Sequence, residues 1–90
     1  MKTKEEIEEK AVNYLTAYGG NMLTVGPAFF DGKKNVWIVP IFYGPLFDEL
    51  PLDEMEFNEE GDLIYAPSRQ KLSELIRVRF NNTKRLEAEL

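Results

Sequence analysis

Apolar residues at Ile7, Ala11, Tyr14, Leu15 and Tyr18 recur at intervals of four, three, one and three, which draws one stripe along a helix of 3.6 residues per turn. Thr3 and Glu6 precede that stripe at capping-box spacing, where each side chain can satisfy the other residue's backbone N–H. Gly19-Gly20 follows it and can take the left-handed, helix-ending conformation without a Cβ clash. These signals predict a first helix between Thr3 and Tyr18.

From Met22 the pattern becomes that of an extended chain. Met22-Leu23-Thr24-Val25 and Ala28-Phe29-Phe30 flank Gly26-Pro27, and they read as one bent edge strand or two short pieces, because proline cannot donate to a central ladder. Asp31-Gly32-Lys33-Lys34-Asn35 supplies a hairpin connection. Val36 to Tyr43 is the strongest strand and is apolar on both faces, with Val36, Ile38 and Phe42 on one and Trp37, Val39, Ile41 and Tyr43 on the other. Strands of this composition are usually covered on both sides. Between Leu52 and Asn58 apolar Met55 and Phe57 alternate with Glu54 and Glu56, the mark of a half-buried strand. Glu59-Glu60-Gly61-Asp62 then turns the chain into an antiparallel return over Leu63 to Ala66. Pro67-Ser68 ends that strand and offers a helix N-cap, after which Leu72, Leu75, Ile76, Arg79, Phe80, Thr83, Leu86 and Leu90 keep a helical period. Asn81-Asn82 marks a weak point in this helix and predicts fraying over 81–90.

The order αββββα, with hairpins as its tight connections, predicts a single α+β domain over residues 1–90: a four-stranded antiparallel sheet with strand 36–43 central and both helices on one face. That arrangement leaves one face of the sheet bare. Trp37, Val39, Ile41 and Tyr43, or the opposite set, would then form an apolar patch larger than monomers ordinarily expose. Phe47 joins these as a candidate contact, because the loop from Gly44 to Pro51 is bounded by prolines and carries large apolar residues.

Composition narrows the chemistry. The chain has 90 residues, 43% hydrophobic and 30% charged, and contains neither cysteine nor histidine. The commonest general base, the soft metal ligands and every Cys/His or Ser/His arrangement are thereby removed, so catalysis is not expected and no cofactor or metal is assigned. Lack of disulfides in so small a domain fits the reducing cytoplasm. The opening Met-Lys-Thr-Lys-Glu-Glu runs into charges where a signal peptide needs an apolar stretch, and no segment has the length of a membrane span. The net charge of −5 is unevenly placed: residues 35–68 hold eight acids and no base, and residues 69–90 hold six bases and three acids. An acidic middle repels phosphate backbones, and the bases Arg69, Lys71, Arg77, Arg79, Lys84 and Arg85 scatter around a helical wheel instead of forming a footprint. A nucleic-acid partner is therefore not expected.

The acidic run invites a calcium-loop test. With Gly61 at the sixth position, Glu56, Asn58 and Glu60 fall at the first, third and fifth, but the twelfth is Pro67 where a bidentate glutamate is needed. The match fails, and a solvated acidic hairpin explains the run better.

The aromatic-bearing strand Val36-Trp37-Ile38-Val39-Pro40-Ile41, followed by a hairpin running from Asp53 to Tyr65 through Asn58-Glu59-Glu60-Gly61, resembles the PepSY-like small α+β domains over about two-thirds of the chain. Asn58 stands where an aspartate is common in that family. The resemblance implies an inhibitory, regulatory or interaction module without catalytic residues, although many members are exported. Two functions are therefore expected, ahead of a third, a small-ligand carrier or enzyme, which the thin acid–base inventory disfavours. One is an assembly module that dimerises through the apolar sheet face. The other is an acidic inhibitor or immunity-type protein presenting Asp53, Glu54, Glu56, Glu59 and Glu60 to a basic protein.

Overall fold

The computed structural model of the protein describes residues 3–17, 22–44 and 50–89, with side chains to Arg79 and at Asn81. Its elements run α1 (Lys4–Thr16), β1 (Leu23–Val25), β2 (Phe29–Asp31), β3 (Val36–Tyr43), β4 (Asp53–Phe57), β5 (Leu63–Tyr65) and α2 (Arg69–Glu89). This is the α+β class read from the sequence. The difference is one of detail, five antiparallel strands where four were expected.

Thr3 Oγ1 accepts the backbone N–H of Glu6 at 3.3 Å, which fixes the start of α1. Ile7, Ala11 and Leu15 of the predicted stripe are buried, while Tyr14 points outward. Tyr18 and Gly19-Gly20 lie outside the described residues. At the other end of the chain Ser68 Oγ caps α2 by accepting the Lys71 N–H at 3.1 Å. The helix continues through Asn81-Asn82 to Glu89 instead of breaking there. Asparagine inside a helix costs only about 0.7 kcal/mol against alanine, less than a cooperative helix loses by stopping early.

The sheet is antiparallel in the order β1-β3-β4-β5, with β2 pairing the same edge of β3 as β1. Leu23 to Val25 pair with Tyr43 to Ile41, whereas Phe29 to Asp31 pair with Ile38 to Val36. The register slips by one residue between the two pieces, so β1 and β2 are one edge strand broken at Gly26-Pro27-Ala28. The break explains how Pro40 fits in the middle of a central strand. The Pro40 carbonyl accepts the Gly26 N–H at 2.9 Å, so its ring nitrogen also points to the β1–β2 side, and the N–H that proline lacks would have faced the interruption. The Ala28 N–H, left out of the ladder, donates to Glu8 Oε2 of α1 at 2.7 Å. Gly26 is required by close approach: a Cβ there would stand 2.7 Å from the Phe42 ring and 3.0 Å from Pro40 Cγ.

Both helices pack on one side of the sheet. Ile7, Ala11 and Leu15 of α1 and Leu72 of α2 form one cluster with Val39, Ile41, Met55 and Phe57, and Trp37, Tyr43, Leu75 and Ile76 pack around it. Each fully buried aliphatic side chain contributes about 1.5–3 kcal/mol, so this cluster is the main source of stability. α2 is anchored at its middle, where the Arg79 guanidinium donates to the carbonyls of Leu50 and Pro51 at 2.7 and 3.1 Å.

Candidate functional site

Side chains alternate along a strand, and directly paired residues share a face. The register therefore assigns both surfaces of the sheet. Trp37↔Phe57 and Val39↔Met55 lie under the helices; Phe29↔Ile38↔Glu56, Pro40↔Glu54 and Thr24↔Phe42 lie on the opposite, outer face.

This corrects the choice of Trp37, Val39, Ile41 and Tyr43 as an exposed apolar patch. Val39 and Ile41 are 0% exposed and belong to the helix-covered core, with Trp37 and Tyr43 packed against it. Trp37 meets Phe30 edge-on, ring centroids 5.5 Å apart, and its indole N–H is buried with no hydrogen-bond partner among the described residues. Phe47 lies outside the described residues.

The opposite set faces outward. Val36 and Ile38 are buried but stand apart from the helix-side cluster, and Phe29 is 52% exposed beside Ile38. Pro40 and Phe42 are half-buried, with Phe42 lying over Gly26. Down the β4 side of this apolar column run Glu54 and Glu56, also half-buried. The outer face is thus an apolar strip with carboxylates along one border.

The five acids named from the sequence do not act as one group. Glu54 and Glu56 join the outer face, whereas Glu59 and Glu60 are exposed at the hairpin tip and line a ≈ 240 Å³ depression with Asn35 and Asn58. The tip is a turn built on Asn58, whose Oδ1 accepts the N–H groups of Glu60 and Asp62 at 2.9 and 2.8 Å, while Gly61 takes φ 89°. Its amide oxygen is spent on backbone. Lys10 of α1 donates to the Gly61 carbonyl at 2.8 Å and ties the turn to the helix layer. Among the described residues, no three or more of His, Cys, Asp or Glu gather where they could hold a metal ion.

Asp53 is the further correction. Instead of facing a partner, its carboxylate accepts the Tyr65 hydroxyl at 3.1 Å and pairs with the Lys71 ammonium at 3.2 Å, and Lys71 in turn donates to the Tyr65 oxygen at 2.7 Å. Lys71 Nζ lies 5.4 Å from the Tyr65 ring centroid. With the hydroxyl contact so short, the ammonium sits at the end of the phenol, not over its face. The Tyr65 hydroxyl first, and Asp53 second, hold the Lys71 ammonium above the usual lysine range. The triangle joins β4, β5 and the first turn of α2. Tyr65 and Lys71 were not singled out from the sequence, because nothing local links residues so far apart in the chain.

The fold and face together define a class: a small α+β domain with one antiparallel sheet, two helices on one side of it and an acid-bordered apolar surface on the other. No protein-family model, curated protein or solved structure matches the chain. Among the described residues no helix is long and apolar enough to cross a membrane.

Proposed function

We propose that the chain is a small non-catalytic protein-interaction module that works through the outer face of its sheet. The observation that carries this reading is the row Phe29, Ile38, Glu56 on the face turned away from both helices, in which Phe29 is 52% exposed beside the buried Ile38. Sheets of α+β domains bury their apolar faces against another layer, and a partner would supply that layer here. The polar triangle supports the same reading. An amine nucleophile needs a depressed pKa, and Lys71 is shifted the opposite way. The resemblance to PepSY-like modules agrees with an interaction role.

The experiment is site-specific photo-crosslinking from position 29, with Tyr14 on the exposed side of α1 as the control position. A discrete adduct from position 29 and none from position 14, identified by mass spectrometry, is expected. Equal labelling from both positions, or none from either, refutes the reading. Self-association through the same face is the second reading, favoured by the apolar strip, and a doubled mass at micromolar concentration would show it.

A further inference from the structure

We propose that Met22 is a reversible oxidation site whose sulfoxide is received by the Tyr43 hydroxyl, so that the end of the sheet survives the modification. The chain has three methionines, Met1, Met22 and Met55, and Met1 lies outside the described residues. The other two stand at opposite extremes. Met55 is 0% exposed in the helix-side core, whereas Met22, just before the first residue of β1, is 56% exposed. A thioether is oxidised only where the oxidant can touch its sulfur. Peroxide in solution therefore meets Met22 and not Met55.

Exposure alone does not single out a site; the surroundings of this sulfur do. Met22 Sδ accepts a hydrogen bond from the Tyr43 hydroxyl at 3.7 Å, a weak contact because a thioether is a poor acceptor. The backbone fixes the pair. The Met22 carbonyl accepts the Gly44 N–H at 2.9 Å, one residue beyond the Leu23↔Tyr43 pair of the β1–β3 ladder, and Tyr43 packs against the core. Side chains at exposed positions ordinarily change rotamer freely, but this one holds its sulfur beside a donor. The step needs only hydrogen peroxide. A sulfur lone pair attacks one peroxide oxygen, the O–O bond breaks as the S–O bond forms, and the proton of the transferred hydroxyl passes to the departing hydroxide to make water. Sulfur loses two electrons and the peroxide gains them. The sulfoxide oxygen carries partial negative charge and accepts better than the thioether did, so the weak O–H···S contact becomes an O–H···O bond of ordinary strength. Sulfoxides disrupt packing where they form among apolar groups; here the polar oxygen forms beside its donor. Methionine sulfoxide reductases return the thioether and close the cycle.

The test exposes the folded full chain to hydrogen peroxide and follows oxygen uptake at each methionine by peptide mass mapping. Met22 is expected to react at least about tenfold faster than Met55 in the folded chain, with the difference lost in urea. Thermal melts then compare oxidised with reduced protein, and Met22→Leu treated identically subtracts any contribution from Met1. Oxidised wild type should melt no lower than reduced wild type. In Tyr43→Phe, which keeps the ring and removes the donor, the oxidised form should melt about 2–4 °C below its own reduced form. Hydrogen exchange at the Gly44 amide gives a readout on wild type alone and should not speed up on oxidation. Treatment with methionine sulfoxide reductases should restore the starting mass.

Comparable rates at Met22 and Met55 in the folded chain overturn the assignment of the site. Equal responses of wild type and Tyr43→Phe to oxidation, whether a drop in melting temperature or none, overturn the role of the hydroxyl. Faster exchange at Gly44 in oxidised wild type does the same, and that measurement stands whether or not Tyr43→Phe folds.

Discussion

Val39 and Ile41 differ little in chemistry from Ile38 and Phe42, their neighbours on β3, yet the first two are sealed beneath two helices while the second two face away from them. Hydrophobicity does not separate the two faces of this strand. Helix placement does: α1 lays Ile7, Ala11 and Leu15 over one side, and the outer side is bounded by Glu54 and Glu56. An apolar residue on the first face is sealed in the core, whereas burial on the second is uneven, with Ile38 buried and Phe29 half exposed.

The contrast can be broken most forcefully at its buried end. Ile41→Ala removes a fully buried side chain and should lower unfolding free energy by about 2–5 kcal/mol, whereas Phe29→Ala on the outer face should cost under about 1 kcal/mol; urea unfolding of the pair measures both. Equal losses would mean that the outer face is part of the fold's own support. Next in size is the tie between α1 and the strand break. Glu8→Ala leaves the Ala28 N–H without its carboxylate acceptor and should cost about 1–3 kcal/mol, with faster hydrogen exchange at the Ala28 amide. Glu8→Gln keeps an acceptor oxygen and should recover most of that loss.

A smaller effect is expected at Trp37. Replacement by Phe removes an indole N–H that has no partner among the described residues, so the area lost and the unsatisfied donor removed should nearly cancel, leaving a change within about 1 kcal/mol. The Lys71 triangle gives a pH signature instead. Because the folded pKa of Lys71 is raised, its contribution is fully present below the unfolded lysine value of about 10.4 and fades as pH rises through the folded value. The stability gap between wild type and Lys71→Met should therefore be constant through neutral pH and shrink in alkali. A gap that widens with pH would contradict the geometry.

Much of this architecture was legible because it is written in local patterns. The Ile7-Ala11-Leu15 stripe, the Thr3 and Ser68 caps and the two hairpin turns each depend on residues within a few positions of one another. Gly26-Pro27 announced the interruption between β1 and β2, but not that it would lie opposite Pro40 or be completed by Glu8. The candidate site was read less well. Both faces of β3 are apolar, so periodicity showed two sets and could not choose between them, and the set chosen proved to be the core. Asp53 looked like its acidic neighbours until Tyr65 and Lys71, 12 and 18 positions away, closed on it.

The broken edge strand bears on how this protein behaves among many copies of itself. A sheet grows by recruiting an extended chain along an unbroken row of backbone donors and acceptors. An intruder at the β1–β2 edge would run alongside three residues before meeting Pro27, which has no N–H, and Ala28, whose N–H is already held by Glu8. At the far edge β5 is also only three residues long. Neither border gives a growing fibril a long template, so the edges of the sheet resist recruitment into aggregates.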